Sequence, residues 1–225
     1  MICDPTLPDG SPLAYAPRQI LKTQLERLAA LGVTVQAATE LEFYLFDESY
    51  ETAWNAEHRG LTAASRYHAA YDAVAAIKAE PFVEEVIRQM DLAGVETEGY
   101  AHEYGFGQQE INLKHAGALE MADRHFLYKF GVKSIAARKG VSATFMAKWT
   151  IDGEGSSCHI HTSLWDHSGT RPLGDQPEFD GYVAGAARGM AEATLMYAPT
   201  LNSYRRFQPH SFARPPSRSA TRTGP

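Results

Sequence analysis

Cysteine is scarce: Cys3 and Cys158 are the only 2 among 225 residues. Two isolated thiols make neither a disulfide framework nor a thiolate zinc site. An apolar core must hold the fold, and a reducing cytoplasm is the expected home. Long apolar runs are missing as well. No stretch approaches the roughly 18 residues that a membrane helix needs. The start, Met1-Ile2-Cys3-Asp4-Pro5, has no basic lead and no apolar segment of the signal-peptide kind. Basic runs are also absent, and 21 Lys and Arg against 27 Asp and Glu leave a net charge of -6. That balance argues against nucleic acid as a partner. What remains, a chain 44% hydrophobic, can bury one large core or two small ones.

Residues 1–17 hold four of the 12 prolines and read as an extended entry segment. From Pro17 to Leu31, Ile20, Leu21, Leu25, Leu28 and Leu31 form a helical stripe that Gly32 ends. Val33 to Asp47 reads as strand. Asp47 to Ala79 carries Tyr50, Trp54, Tyr67 and Tyr71 without clear period and reads as a long excursion with short helical pieces. A helix follows from Glu80 to Asp91. Two strand pieces in Val95–Leu113 flank a turn at Gly105 and Gly107. Ala118 to Lys139 has helical spacing and a glycine stop at Gly140. Val141 to Trp149 reads as strand, Trp165 to Gly181 as loop, and Gly181 to Tyr197 as a small-residue helix that needs close packing.

The chemistry gathers around Gly153-Glu154-Gly155-Ser156-Ser157-Cys158-His159-Ile160-His161. On a strand, His159 and His161 share a face. So do Glu40 and Glu42 in Glu40-Leu41-Glu42-Phe43, about 7 Å apart. Glu103 and Glu110 flank the Gly105-Phe106-Gly107 turn, which can fold them together. Carboxylates crowded into one place repel unless a cation lies among them. With few imidazoles and no cysteine set, Mg²⁺ or Mn²⁺ is the expected ion. His161 is expected to serve the sheet. Cys158 should point away from His159, which argues against a thiol nucleophile. Arg205 and Arg206, in Asn202-Ser203-Tyr204-Arg205-Arg206, offer guanidinium groups suited to carboxylate or phosphate, or else form a solvated basic turn.

Four runs in this order resemble the catalytic domain of glutamine synthetases: Glu40 to Asp47, His102 to Glu110, Gly155 to Leu164 and Asn202 to Arg206. The resemblance implies an α+β fold, a curved, mainly antiparallel sheet with helices outside and the site on its concave face. By position, Glu42, Glu103 and Glu110 match the ligands of one divalent ion. Glu40 and His159 match ligands of a second, whose remaining glutamate has no counterpart here. Gly155 and His159 match glutamate-binding positions, Glu98 and Ser163 nucleotide-contacting ones, and Arg206 the arginine that handles substrate and transferring phosphate. The implied activity is a ligase reaction with two Mg²⁺ or Mn²⁺ sites. ATP phosphorylates the glutamate side chain, and ammonia displaces phosphate; a ligase that joins a polyamine or alkylamine instead is the runner-up. Intact relatives are homo-oligomers. The rival from another class is a non-catalytic relative that keeps the fold for assembly or binding.

Three departures shape the expectation. The family's small β-rich N-terminal domain, which gives an active-site Asp to the neighbouring subunit, has no counterpart here. Glu154 stands where the family has Asn, and Phe212 falls near the flap Glu of ammonia-using members, which turns the substrate toward a larger amine. Residues 1–213 are expected to be a partial catalytic domain. Arg214 to Pro225 is an atypical Arg/Pro/Ser/Thr tail, expected to be out of frame or else an ordinary disordered tail. Weak metal binding and little turnover are expected of this polypeptide alone.

Overall fold

The computed structural model describes residues 2–68, 70 and 72–207. The tail 214–225, Phe212 and Tyr71 therefore lie outside the described residues. Helix α1 (Pro17–Ala29) starts with proline at its first position, where the missing N–H costs nothing. Gly32, at φ +75°, turns the chain into β1 (Val33–Phe46). Short α2 (Tyr50–Asn55) and long α3 (Ala73–Leu92) follow, then β2 (Thr97–His102), β3 (Gln108–Leu113) and two-residue β4 (Ala116–Gly117). Helix α4 (Ala118–Lys139) ends on Gly140 in the left-handed region, where the Val141 N–H bonds Ala136 O at 3.1 Å. Strands β5 (Ser142–Thr144) and β6 (Cys158–Asp166) precede α5 (Pro177–Tyr197) and α6 (Leu201–Arg205).

Strand β1 is the spine of an α+β fold, and every pairing among the described strands is antiparallel. One edge of β1 takes β3 and then β4, with β2 outside β3. The other takes β6 along Val33–Leu41 and β5 along Tyr44–Phe46. Odd-numbered residues of β1, from Ala37 through Leu41 and Phe43 to Leu45, enter the core with Ile111 and Leu113. Phe82, Val83 and Val86 of α3, and Met121, Tyr128 and Val132 of α4, cover that face. Even-numbered residues therefore point to the opposite face.

Several boundaries differ from expectation. Helix α3 begins at Ala73 rather than Glu80, and Pro81 sits inside it. An alanine-rich lead carries the helix through the one N–H that Pro81 lacks. Strand β5 stops at Thr144 rather than Trp149, because β6 occupies the edge of β1 from Leu41 down and the chain must leave the sheet between them. Helix α5 starts at Pro177, not Gly181. Added Cβ atoms at Gly181, Gly185 and Gly189 would meet nothing within 4 Å, so the expected close packing is not found there.

Candidate active site

Register assembles the acids. Glu42 lies opposite Glu110 on β3, and Glu40 lies opposite His159 on β6, so these four side chains share the face away from the core. Ala101 pairs with Glu110, which puts Glu103 on that face as β2 runs into the turn. One oxygen of Glu40 lies 2.9 Å from His159 Nδ1 and the other 2.8 Å from His161 Nε2. The ligand atoms of Glu40, Glu110 and His159 all lie within 4.8 Å of one another. This trio cuts across the two ligand sets that the resemblance implies, joining Glu110 of one to Glu40 and His159 of the other.

Glu42 is buried, and its neighbours fix it. Gln108 Nε2 donates to its carboxylate at 2.7 Å, the Ser157 N–H donates at 2.8 Å, and the Ser157 hydroxyl makes a short bond to the other oxygen. Gln108 also donates to Gly155 O at 3.1 Å and accepts from the Gly105 N–H at 3.0 Å. It therefore links the turn that carries Glu103 to the glycine-rich loop. Gln108 lies within the His102–Glu110 run, where nothing in the sequence marks it out. No spacing rule marks a buried amide, and only the register opposite Tyr44 aims it inward.

Electrostatics record the crowding. Burial first, then the Glu42 and Glu110 charges, push Glu103 up to about 7. Burial and the charges of Glu40 and Glu42 raise Glu110 as well. For Glu40, burial works upward, but the His159 and His161 imidazoles outweigh it and hold the carboxyl below its usual value. The acids sit as like charges without enough positive charge among the described side chains. An oxygen-rich set with one imidazole suits Mg²⁺ or Mn²⁺, so the residues present fit a divalent ion.

Arg206 closes one side. A Cβ on Gly155 would come within 3.3 Å of Arg206 Cγ and 3.0 Å of Ala147 O, so only glycine lets the two segments meet this closely. Burial pulls the Arg206 guanidinium below its ordinary value, against the pull of Glu42. Its Nε is buried with no partner among the described residues. A buried donor left open in this way suits an anionic ligand.

Two expected residues lie apart from the acids. Exposed Glu98 sits at the irregularity between Thr97 and Gly99, roughly 16 Å along the strand from Glu103 at ~3.3 Å per residue. Ser163 shares the face of His159 but lies about 13 Å further along β6, by the same rise, and its hydroxyl accepts from Trp165 Nε1 at 2.9 Å. His161, expected to serve the sheet, meets Glu40 on the paired strand with its side chain 61% exposed, as the alternation that placed His159 also required. Cys158 pairs with Leu41 on the other face, as expected.

The sequence profile of the glutamine synthetase catalytic domain matches residues 14–218. The chain belongs to the glutamine synthetase family. Among its relatives, γ-glutamylethanolamide synthetase GlnA4 of Streptomyces coelicolor is 44% identical over 94% of this chain and 46% of its own length. Glutamate–isopropylamine ligase of a Pseudomonas species is 35% identical over 95% of this chain and 48% of its own. Among solved structures, ligand-free GmaS superposes with a TM-score of 0.78 at 31% identity, over 89% of this chain and 48% of that one. This glutamine synthetase-family chain thus spans about half the length of the curated relatives it matches.

Proposed function

We propose that this chain carries part of the site of an ATP-dependent ligase that joins an amine to the side-chain carboxylate of glutamate through a γ-glutamyl phosphate. The observation that carries the reading is the shared face of Glu40, Glu42, Glu103, Glu110 and His159, with Arg206 closing beside Gly155. Glu40, Glu110 and His159 would hold a divalent ion, with Glu42 and Glu103 beside them. Such an ion supplies charge neutralisation to phosphoryl oxygens during transfer. Arg206 would bind an anionic oxygen of the substrate or of the phosphoryl group. Gln108 and Ser157 keep the Glu42 carboxylate in place. Glu98 and Ser163 remain the candidates for nucleotide contact.

An amine larger than ammonia is favoured by two features. Phe212 falls near the place of the flap Glu of ammonia-using members, and relatives named for an ethanolamide product and for isopropylamine are 44% and 35% identical, against 32% for the glutamine synthetase of Mycolicibacterium smegmatis. Residues 1–213 are read as a partial catalytic domain and the last residues as an atypical tail. Among the described residues no helix is long and apolar enough to cross a membrane. The cytoplasm and a homo-oligomeric assembly belong to the same reading.

The test is γ-glutamyl hydroxamate formation with Mn²⁺, by this chain and by a version extended to the length of its relatives. The extended version should be active with ammonia or with one of a panel of amines, and the short chain far weaker. An extended version inert with all of them ends the ligase reading.

A further inference from the structure

Two hydrogen bonds join segments 54 residues apart. The Lys148 N–H donates to Asn202 Oδ1 at 3.0 Å, and Asn202 Nδ2 donates to the Lys148 carbonyl at 2.6 Å. One side-chain amide thus pairs with the backbone of Lys148 as a neighbouring strand would. Lys148 lies in the loop between β5 and β6, and that loop is closed on itself. The Ser156 N–H donates to Ala147 O at 2.9 Å, and Lys148 Nζ makes a short bond to Gly153 O.

At the other end of the clamp is α6. It has five residues, none of them buried, and Leu201 is 84% exposed. So short a helix has no stability of its own, and apolar packing does not hold it either. Arg206, its C-cap, nevertheless reaches Gly155 closely enough that a Cβ there would sit 3.3 Å from Arg206 Cγ. A buried Nε left unpartnered among the described residues is costly to hold, so something must keep it there.

We infer that Asn202 is the positioning residue for Arg206: by pairing with the Lys148 backbone it sets the guanidinium beside Gly155, ready for a carboxylate or phosphate oxygen. Only the choice of anion rests on the ligase reading; the clamp does not.

The test uses the 225-residue chain, with Asn202→Ala, Asn202→Asp, Arg206→Lys and the double variant Asn202→Ala/Arg206→Lys. Asp keeps the acceptor for the Lys148 N–H and loses the donor to its carbonyl, so it retains half the clamp if Ala unfolds the loop. The first measurement needs no ligand. The ¹⁵N signal of Arg206 Nε–H, assigned by its loss in Arg206→Lys, should exchange slowly with water. It should exchange like an exposed arginine in Asn202→Ala and lie between the two in Asn202→Asp. Unchanged protection in both Asn202 variants overturns the inference.

The second measurement titrates glutamate and, separately, inorganic phosphate in the presence of Mn²⁺. Asn202→Ala should weaken the anion that Arg206 holds by about tenfold, the loss expected of one charge-assisted contact. The double variant should bind no more weakly than Arg206→Lys. Additive losses would show that Asn202 acts apart from Arg206 and overturn the inference. Mn²⁺ titrated alone should bind Asn202→Ala as it binds the parent. If the parent holds neither anion while Asn202 still governs the Arg206 signal, the positioning stands, and the ligase reading is decided by the extended version alone.

Discussion

Ser157 gives Glu42 both its backbone N–H, at 2.8 Å, and its hydroxyl. One residue of the glycine-rich loop therefore clamps a carboxylate on the central strand, at the point where β6 leaves the edge of β1. Ser157→Ala keeps the backbone bond and removes the hydroxyl donor from a buried acceptor. The expected cost is about 1–3 kcal/mol, read as a fall in the thermal midpoint of the metal-free chain.

Glu110→Gln should separate stability from binding. It removes one of the like charges that raise Glu103, so the metal-free chain should melt higher. It also removes a ligand atom from the trio with Glu40 and His159. Loss of a supporting group alone typically costs roughly 10- to 100-fold in metal affinity, and loss of the ligand should cost at least that in a Mn²⁺ titration. A variant that binds Mn²⁺ like the parent would exclude Glu110 as a ligand.

The carboxyl of Glu103 sets a pH dependence. Its folded value, about 7, lies above the ordinary 4.5, so the fold favours the protonated form. The stability it contributes is fully present below about pH 4.5 and is lost as pH rises through about 7. Metal-free melting temperature should therefore decline over that window, and Glu103→Gln should remove this part of the decline. Mn²⁺ competes with the proton, so its affinity should rise over the same window with proton release. Buffers of differing ionisation enthalpy would measure that release calorimetrically.

Gly105→Ala tests the turn beneath Glu103. A Cβ there would collide with the Tyr44 hydroxyl and stand 2.6 Å from Gln108 Oε1. Overpacking of this kind typically costs about 1–3 kcal/mol. Because Gln108 also holds Glu42, Mn²⁺ affinity should fall together with the melting temperature.

The expected strand around Glu40 and Glu42, the Ala118–Lys139 helix and the Gly105/Gly107 turn all appear in the structure. Alternation and helical spacing are local properties, so a single chain displays them openly. The starts of α3 and α5 were less legible. Pro81 and Gly181 are breakers by type, but the alanine-rich lead carries α3 through Pro81, and Pro177 gives α5 an earlier start. Gln108 and Asn202 were hidden for a different reason, since each acts through a partner dozens of residues away.

By itself, then, the order of residues determined which side chains could share a strand face, and the four runs with their glycines identified the family. It could not determine which carboxylates meet. That depends on strand register, which places Glu42 opposite Glu110 and Glu40 opposite His159. Register is settled only when the odd-numbered residues of β1 bury themselves against α3 and α4, because a slip by one residue would carry every acid into the core.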